Sequence, residues 1–351
     1  STGINNVLIG GQAGDSLTSG SYNIAIGRLA LAAEDADGYN IAIGYAALNT
    51  QNAGAAAYNV AVGHNAGTAI TTGTNNVIVG GLAGDALTTG EYNIAIGRDA
   101  LTTEDTGDRN VAIGYGALYN LNYDGAAYNV AVGHSAGSQM TTGTSNTLIG
   151  GLAGDALTDG NANVAVGRGA LSGETRGDRN VAIGYEALLA QNNTSDVDAY
   201  NTAIGYAAGT AMLTGTQNTV VGGQAGDALT TGANNVAIGY AALSTEDTGH
   251  GAVAIGAFAL QDLDGGNTYN TAIGFSAGAE VTSGSYNTLL GGYAGDALTT
   301  GNNNTAIGYQ ALSAEDAHGN NTAIGYQTLN AQNAGADAYN VAVGHQAGLL
   351  V

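Results

Sequence analysis

Lysine, proline, cysteine and tryptophan are all absent from this chain of 351 residues, and its only permanently basic side chains are six arginines. Set against 28 acidic residues, these arginines leave a formal net charge of −22 at pH 7. A basic patch for nucleic acid or an anionic membrane is therefore excluded as a partner site. The lack of cysteine excludes disulfides and cysteine-based metal sites. No apolar run approaches the ~18 residues of a membrane span, so we expect no membrane insertion.

A five-residue phrase, first clear as Asn-Ile-Ala-Ile-Gly at 23–27, recurs twenty times from one end of the chain to the other. Its spacing is 17 residues in most steps and 18, 19 or 21 in five. Four kinds of repeat alternate in a fixed order, which gives five blocks of about 70 residues. So short a period predicts a repeat architecture rather than several globular domains. We therefore expect one domain over 1–351, uncapped at both ends.

Each repeat has the composition of a short strand that ends at a glycine. The first and third residues after the asparagine are Val, Ile, Leu or Thr, which suit a strand, and the closing glycine permits a tight bend. An Ala-Leu or Ala-Gly segment follows, for which we expect a second short strand, and then a turn. One repeat cannot bury its apolar side alone, whereas stacked repeats bury a continuous core. The sequence thus predicts an all-β fold, a single parallel β-solenoid (β-roll) of about twenty 17-residue coils.

The asparagine that opens the phrase is present in nineteen of the twenty repeats, and Ala252 is the exception. In a parallel stack these side chains lie above one another, so their amides could bond from coil to coil as a ladder. The alternative is a solvent-facing asparagine that favours the turn before the strand. The residues expected in the first part of this ladder are Asn23, Asn40, Asn59, Asn76, Asn93 and Asn110.

Both sides of the first strand are apolar. One side fills the coil interior, while the other is either a narrow patch of alanine or a face buried against a neighbour.

The phrase Asn-Val-Ala-Ile-Gly at 110–114, 180–184 and 235–239 resembles the head repeats of trimeric autotransporter adhesins of the YadA type. The repeats at 201–208, 304–312 and 321–329 are similar to the "NTAIGYxAL" repeats of some phage tail fibres. This resemblance implies a left-handed parallel β-roll, commonly trimeric, that serves adhesion. The family repeat is nearer fourteen residues, and this chain shows no heptad neck.

The two ends of the chain are complementary in sequence. Residues 344–351 followed by 1–10 align residue for residue with the internal stretch 63–80. Head-to-tail stacking would therefore continue the coil register from one copy to the next and generate an open filament. The competing explanation is a longer solenoid trimmed to this window. The expected assembly interface consists of Ser1, Thr2, Ile4, Asn6, Val7, His345, Leu349, Leu350 and Val351.

The candidate chemical groups repeat from block to block, whereas a catalytic site is normally unique. We find no catalytic set or phosphate loop and expect no enzyme activity. Acidic residues offer weak candidates for Ca²⁺, because Asp15 lies one coil below Glu34 and Asp35, and Asp85 lies likewise below Glu104 and Asp105. The same arrangement places Asp227 near Glu246 and Asp247, and Asp296 near Glu315 and Asp316. The alternative is a solvated acidic edge, and no other cofactor is expected.

These observations predict a structural protein that forms an extracellular, cell-surface or virion-surface filament by stacking on itself, with lateral or trimeric association as a further possibility. The alternative is an adhesin-like or tail-fibre-like shaft that binds a surface glycan or protein. Recurrent tyrosines such as Tyr45, Tyr115 and Tyr185 could stack on sugars, although such tyrosines more often serve strand-edge packing.

Overall fold

The computed structural model describes residues 2–333 and 335–350, and its regular secondary structure within these ranges is twenty β-strands of three residues each. In chain order, β1 to β20 are Val7–Ile9, Ile24–Ile26, Ile41–Ile43, Val60–Val62, Val77–Val79, Ile94–Ile96, Val111–Ile113, Val130–Val132, Thr147–Ile149, Val164–Val166, Val181–Ile183, Thr202–Ile204, Thr219–Val221, Val236–Ile238, Val253–Ile255, Thr271–Ile273, Thr288–Leu290, Thr305–Ile307, Thr322–Ile324 and Val341–Val343.

The chain divides into two compact units, Ser1–Asp178 and Arg179–Val351. In the first unit, β1 to β10 pair consecutively and in parallel, and in the second β11 to β20 do the same. The register is constant, with Ile94 opposite Val111 and Ile96 opposite Ile113. The fold is therefore the all-β parallel β-solenoid that the sequence predicts, with about twenty turns of about 17 residues. The prediction of one domain stays a prediction.

The middle residue of each strand points into the coil. Ala95 and Ala112 are fully buried, whereas the residues on either side of them are half-buried. Because side chains alternate across a strand, the branched first and third residues lie on the outer side. This outcome excludes a patch of alanine on the outside: alanine lines the interior of most coils, and the first and third residues, chiefly Val, Ile and Thr, form the outer face. Burial of that face against a neighbour stays a prediction.

The second strand expected after each glycine is wrong for the described residues, where a turn replaces it. The backbone is the reason. Leu29 and Leu31 have φ of 63° and 53°, on either side of Ala30. An extended strand needs negative φ at consecutive residues, so alternating left-handed residues bend the chain instead.

The glycine that ends each strand brings neighbouring coils into direct backbone contact. Gly97 has φ of 131°, and a Cβ built on it would lie 2.4 Å from the carbonyl oxygen of Gly114. Only glycine fits such a position.

A second glycine position explains why the coils differ in kind. A Cβ on Gly84 would lie 2.9 Å from Leu87 and 3.1 Å from Ile78, so this glycine makes room for two large core side chains. In the next coil, 17 residues later, leucine takes the place of this glycine at Leu101. The position of Ile78 is then the small Ala95, and the position of Leu87 is Glu104. Each kind of coil thus fills the interior with a different combination of side chains.

Candidate functional site

The asparagines at the start of the strands are buried and bonded between coils. The side-chain oxygen of Asn93 accepts the backbone N–H of Asn110 at 2.9 Å, and its Nδ2 donates to the carbonyl of Gly107 at 2.8 Å. The same amide-to-backbone pattern occurs at Asn23, Asn59 and Asn76. The solvent-facing alternative is thus excluded for these residues. The ladder runs mainly from side chain to backbone rather than between amides.

Two of the expected ladder residues use their amide nitrogen differently. Asn40 Nδ2 lies 3.5 Å from Glu34 Oε2, and Asn110 Nδ2 donates to the carbonyl of Asp108 at 3.2 Å. Their side-chain oxygens still accept from the next coil, at the N–H groups of Asn59 and Asn129.

Ala252 interrupts the ladder in the second unit. Its N–H donates to Asn235 Oδ1 at 2.9 Å, as an asparagine would. Its methyl side chain, however, offers no acceptor to Asn270, the next residue in the column. Asn270 itself keeps both of its side-chain bonds: Oδ1 accepts the N–H of Asn287 at 2.8 Å, and Nδ2 donates to the carbonyl of Gly284 at 2.6 Å. The interruption therefore affects the backbone N–H of Asn270.

The outer face of the strands carries no charge and is mostly apolar, with threonine as the first residue of seven strands. All twenty strands consist of Val, Ile, Leu, Thr and Ala only. Most outward side chains are half-buried, and Ile149 and Leu290 are exposed to 40% and 43%. In an otherwise acidic chain this is a continuous uncharged surface within each unit. We call these outward first and third strand residues the outer face.

One glutamate in each block lies inside the solenoid. Glu34, Glu104, Glu174, Glu246 and Glu315 are fully buried. Each closes a turn, as when Glu104 Oε1 accepts the N–H of Gly107 at 2.8 Å. Burial raises the pKa of Glu34 and of Glu104 to about 7. Backbone hydrogen bonds lower these pKa values, but the effect of burial is larger.

Sequence reasoning missed this burial and placed Glu34 and Glu104 on an acidic edge. The sequence did indicate an interior position, because the equivalent residue is the apolar Leu17, Ile70 or Leu87 in other coils.

The structure brings together only some of the Ca²⁺ candidates from the sequence, and it does so in the later blocks. In the described residues, three ligand atoms lie within 4.8 Å of one another at Glu246, Asp247 and Asp264, and again at Glu315, Asp316 and His318. Asp15, Asp35, Asp85 and Asp105 belong to neither group. Burial raises the pKa of Asp85, and its Oδ1 is buried without a hydrogen-bond partner.

Aromatic rings form columns along the coils. Tyr45 stacks on His64 at 5.2 Å and Tyr115 on His134 at 5.3 Å between ring centroids. In the second unit, contacts of 5.2–6.0 Å connect the rings from Tyr240 to His345. Tyr185 and Tyr206 form a separate pair, and Gly223 takes the ring position between Tyr206 and Tyr240.

A cleft of about 250 Å³ opens beside this column. The rings of Tyr240 and Phe258 line it, together with Asp227, whose Oδ1 is buried without a partner and whose pKa burial raises. Its remaining lining residues are Gln224, Ala241, Ser244 and Gln261. Aromatic faces beside amide and carboxylate groups suit a small polar ring ligand.

The residues expected at a head-to-tail interface lie in the first and last coils. Ile4, Val7 and Leu350 are exposed to 58%, 44% and 87%. Val7 pairs with Ile24, and His345 stacks on Tyr326 at 5.2 Å.

The other interface residues are bonded to the adjacent coil. Thr2 N–H donates to Thr18, Asn6 Nδ2 to Gly20, and the carbonyl of Leu349 accepts from Ala331. Ser1 and Val351 lie outside the described residues.

No helix among the described residues is long and apolar enough to cross a membrane. In comparisons with known proteins, no family model and no curated protein matches this chain.

Proposed function

We propose that this protein is structural and forms an extracellular or surface filament from copies of its own β-solenoid. The observation that carries the proposal is the outer face. It is uncharged and mostly apolar, whereas the chain as a whole carries a net charge of −22. Contiguous apolar surfaces that remain accessible to solvent are typical of interaction sites. In this proposal no residue has a catalytic role.

A second copy of the chain is the partner that best fits the outer face. Two acidic chains repel one another wherever their charged turns meet, but outer face against outer face brings no like charges together. The resemblance to trimeric adhesin heads favours the same lateral contact. Head-to-tail stacking adds the second direction of assembly, supported by the alignment of 344–351 and 1–10 with 63–80.

Light scattering and electron microscopy test this proposal on the full chain. We expect the unaltered protein to form oligomers or filaments. Replacing Ile96 and Ile113 by Lys should abolish side-by-side association and leave assemblies only one solenoid wide, because lysine heads cannot be desolvated in an apolar contact. The control is Thr89→Lys with Thr103→Lys, which adds the same charge on exposed turns. A monomeric unaltered protein, or equal behaviour of both variants, would contradict lateral assembly.

The second candidate is a binding shaft for a surface glycan, favoured by the cleft beside Tyr240. We expect saturable binding of oligosaccharides on a glycan array that Tyr240→Ala abolishes, because ring stacking supplies much of such binding. Tyr22→Ala serves as the control, since Tyr22 stacks on Tyr39 in another column at 5.1 Å. Equal losses in both variants would show that the cleft is not the site.

A further inference from the structure

Three carboxylates meet in the fourth block. Glu246 and Asp247 lie in the turn after β14, and Asp264 lies in the turn after β15. One carboxylate oxygen from each lies within 4.8 Å of the other two. Glu246 is fully buried, whereas Asp247 and Asp264 are exposed. The cluster therefore joins one interior acid to two surface acids across neighbouring coils.

Glu246 has an unpartnered oxygen that other glutamates of its column do not have. Its Oε1 accepts the N–H of Gly249 at 2.6 Å, but its Oε2 is buried without a hydrogen-bond donor. The backbone amide of Gly265 is near enough to lower the pKa of Glu246, but it forms no hydrogen bond with Oε2 that meets the usual geometry. A buried carboxylate oxygen without a partner is unfavourable, and a cation would supply the missing partner.

The corresponding oxygens in two other blocks have donors. Glu104 Oε2 accepts the N–H of Tyr123 at 3.2 Å, and Glu315 Oε2 accepts Nε2 of Gln332 at 3.1 Å. The difference at Glu246 is thus local to its block rather than a property of the fold.

Asp264 is the acid that makes this block different. In the other four blocks the equivalent residue is Asn52, Asn122, Asn192 or Asn333. The backbone confirms the equivalence: Asp264 N–H donates to the carbonyl of Thr282 at 2.9 Å, as Asn122 N–H does to Thr141 at 2.8 Å. Block four thus carries a third carboxylate where its relatives carry a neutral amide.

We propose that Glu246, Asp247 and Asp264 bind one divalent cation, and that Ca²⁺ is the cation that fits. Carboxylate oxygens are hard ligands of the kind that Ca²⁺ prefers. With Ca–O distances of about 2.3–2.6 Å, oxygens on opposite sides of the ion lie about 4.8 Å apart. The three carboxylate oxygens all lie within this separation of one another, so one ion can reach all of them. The exposed side of the cluster admits the waters that complete six to eight ligands, roughly the number that Ca²⁺ takes.

Binding there would tie two coils together. Two ligands come from the turn between β14 and β15 and the third from the turn between β15 and β16. Without the ion, the charge of Asp264 raises the pKa of Glu246 further, after the larger effect of burial. A bound cation would therefore remove the repulsion between the carboxylates of Glu246 and Asp264 and link their two coils through common coordination.

The test is Ca²⁺ titration of the full chain by calorimetry, together with thermal unfolding in Ca²⁺ and in chelator. We expect one saturable site and a higher unfolding temperature with Ca²⁺. Asp264→Asn should weaken binding by at least about tenfold and remove the temperature shift, since affinity depends on ligand charge. In chelator the same variant should be more stable than the unaltered protein. The substitution restores the residue of the other four blocks, so the coil tolerates it.

Asp262→Asn is the matched control, because Asp262 is exposed two residues away and the charge change is identical. The Asp262→Asn variant should keep both Ca²⁺ binding and the rise in unfolding temperature with Ca²⁺. Glu246→Gln should lose the site, and glutamine stands at the equivalent position in Gln51 and Gln191. The proposal is overturned if the unaltered protein takes up no Ca²⁺ saturably, or if Asp264→Asn and Asp262→Asn respond alike. An equal shift with the same concentration of Mg²⁺ would show charge screening only and would also overturn it.

Discussion

One asparagine side chain satisfies backbone groups of two coils at once. The carbonyl of Gly107 and the N–H of Asn110 both depend on Asn93, and all three lie in the interior or at its edge. Only an amide offers a donor and an acceptor of this size, which explains why Val, Ser or Asp does not replace it in the phrase. The ladder is thus a property of single residues that the stack repeats.

Removing one ladder residue should cost more than one hydrogen bond. We expect Asn93→Ala to lower the free energy of unfolding by about 2–4 kcal/mol, because it leaves a buried donor and a buried acceptor unpaired. Conversely, Ala252→Asn should raise it by about 1 kcal/mol by supplying an acceptor to Asn270. Chemical denaturation of the two variants measures both changes. A loss of stability in Ala252→Asn would show that the coil lacks room for the longer side chain.

At the scale of the coil, the buried glutamates make stability depend on pH. Glu34 and Glu104 have pKa values of about 7 in the folded chain, above the ordinary 4.5. Their contribution to stability is fully present below the ordinary pKa and is lost as pH rises through the folded one. The solenoid should therefore become less stable between about pH 4.5 and pH 7, by about 3 kcal/mol for each group.

Denaturant midpoints at pH 5 and pH 8 measure this loss. Glu104→Gln should reduce the difference between the two midpoints, because its side chain does not titrate. The control Glu91→Gln removes the same charge from a half-buried turn residue. It separates the effect of the interior acid from the general repulsion of a chain with net charge −22. If both variants flatten the dependence equally, the buried carboxyl is not its cause.

The sequence predicts those features of the coil that the local residue pattern determines, and it does not predict those that packing between coils determines. The branched residues before each glycine suffice to predict the strands and their parallel register. The bend at Leu29 and Leu31 escapes prediction because leucine rarely adopts positive φ, and only the stack imposes it. The interior position of Glu34 also escapes, since a glutamate is ordinarily exposed. The meeting of Glu246 with Asp264 requires knowing which turns adjoin.

At the scale of the whole molecule, head-to-tail stacking stays a prediction from the sequence. Leu350 is exposed to 87% in the last coil, where the alignment places its contact with the next copy. We expect Leu350→Asp to abolish long filaments in electron micrographs while the circular dichroism of the solenoid is unchanged. Thr300→Asp, which adds the same charge on an exposed turn, is the control. Filaments of normal length from Leu350→Asp would contradict end-to-end contact through this residue.

The close contact of the strand-ending glycines also decides where the scaffold can be altered by engineering. Between each asparagine and its glycine the spacing never changes, whereas all five longer steps fall in the third coil of a block. A Cβ on Gly54, in one of these longer turns, would meet no atom within 4 Å. Foreign peptides grafted into the turns at 51–58 or 119–128 would extend into solvent without separating the coils. The first unit would thereby display two copies of a graft, one in each of its first two blocks.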